Sequence, residues 1–290
     1  MESPRDILKR HGLRAKYSWG QNFLGDEDAL EAIADALHLR EGEHVVELGP
    51  GLGHLTRFLA ATGARVTAVE RDRDMVTVLE KEAIPGVRVV AGNAATVDFA
   101  QVAGAPEVAV AGNLPYHLTS PILFRVLEQR SHVTRAVFTL QKEVVERLAA
   151  EPGSRDYGLL TVLLGLHFDA ENVLTLEAWR FHPPPKVDSA VLSLTRRAAP
   201  RAPIVDEARF TRVVKASFAQ RRKTLINSLK SDKTLAPPDV LLQALETAGV
   251  DPQRRAETLA PEEFAAIERA LGPVKPGAPA PEALDADTEE

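Results

Sequence analysis

The sequence predicts an α/β protein: a doubly wound, mostly parallel sheet, then a small helical domain. Three observations predict it. Short apolar runs alternate with amphipathic stretches up to about residue 140, a Gly-rich turn sits between one such run and the next helix, and the pattern turns purely helical after AAPRAP (198–203).

DEDALEAIADALHL (26–39) spaces its apolar side chains for a helix and starts on acids, and EGEH stops it before the short strand VVEL (45–48). GPGLG (49–53) then turns the chain into the helical HLTRFLAATG. ARVTAVE (64–70), VRVVA (87–91), EVAVAG (107–112) and TRAVFTL (134–140) are expected as further buried strands, separated by helices such as RDMVTVLEKEA and SPILFRVLEQR. Such a sheet takes right-handed crossovers and keeps its ligands at the carboxyl ends of its strands. From Tyr157 the alternation breaks, with the apolar GLLTVLLGLHF, the Pro-rich HPPPKVDS and a last strand, AVLSLT. Beyond the linker come DEARFTRVVKASFAQ, KTLINSLK, PDVLLQALETAG and PEEFAAIERAL, amphipathic helices joined by Pro and Gly breakers. The expected organisation is residues 1–198 as the sheet domain, 199–272 as the helical domain and 273–290 as a disordered acidic tail.

Of 290 residues, 44% are hydrophobic and 26% charged, as in an ordinary soluble protein. The absence of cysteine excludes a disulfide framework, a thiolate metal site and a cysteine nucleophile. No stretch approaches the roughly 18 apolar residues of a membrane span, and the first residues hold no apolar secretory core, so a cytoplasmic protein is expected. Net charge is −6, but residues 196–230 hold ten bases against two acids, while the last eighteen residues hold five acids against one base. A basic face for a polyanion is therefore compatible with an acidic chain, as is a plain solvated helix face.

Glu47-Leu48-Gly49-Pro50-Gly51-Leu52-Gly53 follows a strand and opens a helix. A dinucleotide fingerprint started at Gly49 needs a third glycine where His54 stands, and the Gly-Lys-Ser/Thr of a phosphate loop is missing. E-x-G-x-G-x-G instead suits a nucleoside cofactor without a pyrophosphate, its amino-acid portion against the loop. Glu70 closes the second strand, where a carboxylate can accept ribose hydroxyls.

Asn113-Leu114-Pro115-Tyr116 follows the fourth strand, on the edge where such sheets keep their active sites. An exocyclic adenine nitrogen is a poor nucleophile because its lone pair is delocalised into the ring. Two acceptors on its N–H bonds favour the localised form: the Asn113 side-chain oxygen and the Leu114 carbonyl, with Pro115 setting the chain direction. Tyr116 offers a face for the base, and stacking of this kind is worth about 1–3 kcal/mol. A sulfonium donor leaves as a neutral thioether, so neither an essential His nor a metal is expected.

Together with these words, QNFL (21–24), VERD (69–72), FHPPPKVDSAV (181–191) and RAETL (255–259) occur in an order that resembles the small-subunit ribosomal RNA adenine N6,N6-dimethyltransferases. The resemblance spans roughly residues 5 to 271. It implies a Rossmann-like class I S-adenosylmethionine-dependent methyltransferase that dimethylates two adjacent adenosines in the 3′-terminal hairpin of small-subunit rRNA, acting as a monomer without metal on the small ribosomal subunit or its precursor. It also implies that Asn22 and Leu24 cover the cofactor, that Gly49 and Gly51 lie against its methionine part, that Glu70 holds its ribose, and that Asn113 lies near the methyl donor. Asn93 stands where the family has Asp, to accept a bond from the cofactor's adenine amino group. Phe181 would sandwich the flipped base against Tyr116. Lys186, Arg221, Arg222 and Lys223 are candidate phosphate contacts. Three alternatives remain from the residues: a macrolide-resistance methyltransferase of large-subunit rRNA, a factor that inspects assembling subunits by binding alone, and a nicotinamide oxidoreductase, which His54 disfavours.

Overall fold

Valine- and alanine-rich runs with no polar alternation must be covered on both faces, and here they become the middle of one sheet. A computed structural model of the chain describes residues 1–272. Its strands are β1 (Phe23–Leu24), β2 (His44–Leu48), β3 (Arg65–Glu70), β4 (Val87–Ala91), β5 (Val108–Asn113), β6 (Val133–Gln141), β7 (Phe168–Leu176), β8 (Phe181–His182) and β9 (Ser189–Arg196). Seven form a sheet in the order β4-β3-β2-β5-β6-β9-β7. Those from β4 to β6 run parallel, and β9 pairs antiparallel with β6. The chain builds outward from β2 through β3 to β4 and then returns to β5 on the other side of β2. That reversal opens a crevice at the carboxyl ends of β2 and β5, where ligands of such sheets bind.

In the same part of the chain lie α1 (Pro4–Arg10), α2 (Glu27–Asp35), α3 (His54–Ala61), α4 (Arg73–Glu82), α5 (Phe99–Ala103), α6 (Thr119–Glu128) and α7 (Lys142–Leu148). Asp26, Asp72 and Asp98 cap α2, α4 and α5, each accepting a backbone N–H of the first turn through its side chain. QNFL, unassigned in secondary structure by the sequence, supplies β1, which pairs antiparallel with β8 through Leu24 opposite Phe181.

The remaining helices are α8 (Leu159–His167), α9 (Glu207–Phe218), α10 (Leu225–Leu229), α11 (Pro238–Thr247) and α12 (Pro261–Ala270). The chain divides into two compact units, Met1–Val145 with Ala170–Arg196, and Glu146–Asp169 with the chain from Arg197 onward. The long segment of the second unit starts at Arg197, and residues 146–169, expected in the sheet domain, group with that helical unit although Phe168 and Asp169 open β7. The reason is α8: Leu160, Val162, Leu163, Leu164 and Leu166 are all buried. A helix apolar on most sides must be enclosed, and α9 and α12 enclose it. The expected disordered tail, 273–290, lies outside the described residues. Among the described residues no helix is long and apolar enough to cross a membrane.

Candidate active site

Three strand ends meet at the crevice: β2 delivers the glycine turn, β3 delivers Glu70 and β5 delivers Asn113. Gly49 and Gly51 both take positive φ, +68° and +56°. At Gly49 an added Cβ meets nothing within 4 Å, so the turn leaves open space; at Gly51 it would lie 2.8 Å from Cε1 of Phe23, on β1. All eleven residues expected to bind cofactor or carry the chemistry (Asn22, Leu24, Gly49, Gly51, Glu70, Asn93, Asn113, Leu114, Pro115, Tyr116 and Phe181) line one cavity of about 320 Å³.

Glu70 is largely committed to its own backbone. Its Oε1 accepts the Arg71 and Asp72 N–H groups at 2.8 Å each, and its Oε2 accepts the Gly51 N–H at 3.1 Å. A carboxylate has about four acceptor sites, so the capacity left for a ribose is mainly on Oε2. Gly51 thus serves to orient the acid. Burial raises the Glu70 pKa, while the three N–H bonds oppose that rise. Asn93 Oδ1 accepts the Ala95 N–H at 3.0 Å and keeps one lone pair. Replacing that amide with a carboxylate adds charge to the acceptor, so Asn93→Asp is expected to tighten S-adenosylmethionine binding about fivefold, on the order of 1 kcal/mol. Titration calorimetry on both proteins measures this, and unchanged or weaker binding counts against Asn93 as the adenine contact.

Glu47, in sequence only the first residue of the glycine motif, gains a further role from its burial. It is 1% exposed on β2, lines the cavity, and its Oε2 has no hydrogen-bond partner. Burial, with the nearby Glu70 charge adding to it, pushes its pKa up to about 8. A buried acceptor facing a cavity suits a cationic ligand, and S-adenosylmethionine carries an ammonium and a sulfonium; together with open space at Gly49 and free acceptor capacity on Glu70 and Asn93, the residues fit that cofactor. The raised pKa also has a stability consequence. The unfolded chain loses this proton above pH 4.5 and the folded one only near 8. The cofactor-free protein is therefore expected to lose stability as pH rises across that window. Glu47→Gln removes the ionisation, so thermal melts from pH 5 to 8.5 should show a flatter fall in the variant; parallel curves would refute the assignment.

The Asn113–Tyr116 tetrapeptide is arranged by neighbours distant in sequence. Asn113 Nδ2 donates to the Asn22 carbonyl at 2.8 Å, which leaves the side-chain oxygen as the unpaired group. Leu114 N–H binds the Thr139 carbonyl at 3.2 Å, and its own carbonyl has no partner among the described residues. Pro115 accepts from Leu118 N–H at 2.9 Å, closing a short helical turn at Tyr116–Leu118. The Tyr116 hydroxyl pairs with Ser189 at 2.9 Å; Ser189 is fully buried at the start of β9. Burial raises the Tyr116 pKa, keeping the phenol neutral. Ser189 lies within the FHPPPKVDSAV run, but nothing local ties it to a tyrosine 73 residues away.

Phe181 and Tyr116, the expected pair, line the same cavity but differ in burial. The β1–β8 pairing draws Phe181 into the core cluster with Leu24, Leu30 and Ile33, and it is 4% exposed. It lines the cavity as a wall, and only Tyr116 of the expected pair is half-buried. Lys186 is exposed in the sheet unit; Arg221, Arg222 and Lys223 are exposed between α9 and α10 in the helical unit. Arg221 already donates to the carbonyls of Arg155 and Tyr157, at 3.0 and 3.2 Å. None of the four lines the cavity.

Residues 12–272 match the family described as Ribosomal RNA adenine dimethylase. The chain is 88% identical to Ribosomal RNA small subunit methyltransferase A of Myxococcus xanthus (strain DK1622), over 97% of this chain and 99% of that protein. It is 55% identical to the protein of the same name from Anaeromyxobacter sp. (strain K), over 93% and 98%. Among solved structures it resembles the 23S rRNA methyltransferase ErmE (TM-score 0.66, 32% identity, 86% of this chain and 99% of that one). In fold it also resembles a dimethyladenosine transferase from Plasmodium falciparum (TM-score 0.72, 24% identity, 84% and 95%). With the glycine turn, Glu70 and the NLPY strand end gathered around one cavity, the chain belongs to the ribosomal RNA adenine dimethylase family and is an S-adenosylmethionine-dependent methyltransferase of Rossmann-like fold.

Proposed function

We propose that this enzyme dimethylates N6 of two adjacent adenosines in the 3′-terminal hairpin of small-subunit rRNA, working as a cytoplasmic monomer on the small subunit or its assembly precursor. The observation that carries the chemistry is the pair of unpaired acceptors at the end of β5: the Asn113 side-chain oxygen, set by the Asn22 carbonyl, and the Leu114 carbonyl. Two acceptors on the amino N–H bonds draw the nitrogen lone pair out of the adenine ring and toward the methyl group. When bound, S-adenosylmethionine supplies an electrophilic methyl on a leaving thioether. Asn22 and Leu24 would cover the cofactor, Gly49 gives its methionine portion room, Glu70 accepts from its ribose and Asn93 from its adenine. Tyr116, held by Ser189, presents its ring to the flipped base, with Phe181 in the cavity wall as the second aromatic. Lys186, Arg222 and Lys223 are free to meet phosphates; they position RNA without reading its sequence.

The similarity to ErmE supports a second reading, large-subunit rRNA, but the two relatives at 88% and 55% identity carry small-subunit names. Methyl transfer from labelled S-adenosylmethionine to small subunits lacking these methylations, beside large subunits and naked rRNA, separates the two. N6,N6-dimethyladenosine confined to small-subunit RNA is expected. Label in the large subunit would overturn the target, and cofactor binding without any labelled substrate would favour a binding factor.

A further inference from the structure

We propose that Gln21 is a positioning residue for methyl transfer: it locks residues 16–22 onto Asp72, which holds the Asn22 carbonyl where it turns the Asn113 oxygen toward the substrate amino group. The proposal rests on the adenine N6 reading above, which uses Asn22 and Leu24 of QNFL but gives Gln21 no role.

Residues 16–22 contain one short helical turn, Tyr17–Trp19, and no strand ladder, so side-chain bonds set their place. Gln21 makes two. Its Oε1 accepts the Lys16 backbone N–H at 2.8 Å, closing the segment on itself, and its Nε2 donates to Asp72 Oδ2 at 2.8 Å. Asp72 is 1% exposed, and its other oxygen takes Lys16 Nζ at 2.6 Å and the Asp74 N–H at 3.1 Å. Asp72 N–H in turn binds Glu70 Oε1 at 2.8 Å. One peptide beyond Gln21, the Asn22 carbonyl accepts Asn113 Nδ2 at 2.8 Å. A continuous path of hydrogen bonds and one peptide thus joins the ribose acid to the catalytic amide.

The Asn22 carbonyl is the one partner of the Asn113 side chain among the described residues. An amide turned by half a rotation would present its NH₂ to the substrate NH₂, donor against donor, and the acceptor would be lost. Holding Asn22 in place is therefore worth rate and not substrate affinity, because the Asn113 oxygen matters most when the lone pair localises.

The test uses the full-length enzyme, S-adenosylmethionine and undermethylated small subunits. Gln21→Ala is expected to lower kcat about tenfold while KM for subunits and affinity for S-adenosylhomocysteine stay within about twofold. Asp72→Asn and Gln21→Glu alone should each fall in the same direction, by setting donor against donor or carboxylate against carboxylate. The double variant Gln21→Glu/Asp72→Asn exchanges donor and acceptor and is expected to recover kcat to within about threefold of wild type; Asn caps α4 as well as Asp does, so the helix is kept. Unchanged kcat at saturation, a loss confined to cofactor affinity, or a double variant no better than the worse single would each overturn the proposal. If wild type labels a different rRNA, the target assignment fails, and the same kcat comparison on that RNA still decides the role of Gln21.

Discussion

Asn113→Ala is expected to lower the rate of methyl transfer by about 10²–10³-fold, the usual cost of deleting one preorganised polar group at a reacting centre. The alanine removes the oxygen left unpaired by the Asn22 contact and leaves the Leu114 carbonyl as a single acceptor, so the amino lone pair stays largely in the ring. Asn113→Asp distinguishes this from a loss of shape. It retains an acceptor but deletes the Nδ2 donor and sets a carboxylate against the Asn22 carbonyl, so it too should be severely impaired. Single-turnover transfer at saturating cofactor isolates the chemical step, and a calorimetric titration reports any separate loss of cofactor binding. An Asn113→Ala enzyme retaining more than about a tenth of the wild-type rate would sink the two-acceptor account.

Gly112→Ala is expected to destabilise the fold by about 3 kcal/mol and to abolish activity in whatever remains folded. A Cβ there would lie 2.6 Å from the Leu48 carbonyl oxygen and 2.7 Å from Leu114 Cδ2. The first of these is backbone of a central strand paired with β5, which cannot step aside without breaking the parallel ladder. The second would push Leu114, whose carbonyl is the second acceptor of the proposed mechanism. Gly165→Ala in α8 is the control. Its added methyl meets only Pro261 Cγ, at an ordinary 3.6 Å, and helix propensity favours it by up to about 1 kcal/mol. Denaturant midpoints should therefore move in opposite directions, and equal shifts would mean that the β2–β5 approach is not what excludes a side chain at Gly112.

The parallel strands were legible because their signal is local: each expected run from VVEL to TRAVFTL is a strand within a residue or two of its expected ends. Glu70 and Asn113 were legible because they follow such runs, and a strand end in this architecture is already a place in space. The affiliation of α8 was not, since GLLTVLLGLHF announces burial without saying against what. Nor was the packing of Phe181, which follows from a two-residue pairing with QNFL across more than 150 residues of chain.

By itself, then, the sequence determined the alternating architecture, the class of cofactor, and eleven of the residues that line one cavity, because periodicity, turn chemistry and motif order are properties of neighbouring residues. Only the tertiary structure decided how those residues are aimed. The Asn22 carbonyl turns an amide 91 positions away, Ser189 holds a tyrosine 73 positions away, and Glu47 loses its solvent to strands on either side. Orientation and desolvation arise from groups brought together by folding, and no local pattern along the chain encodes them.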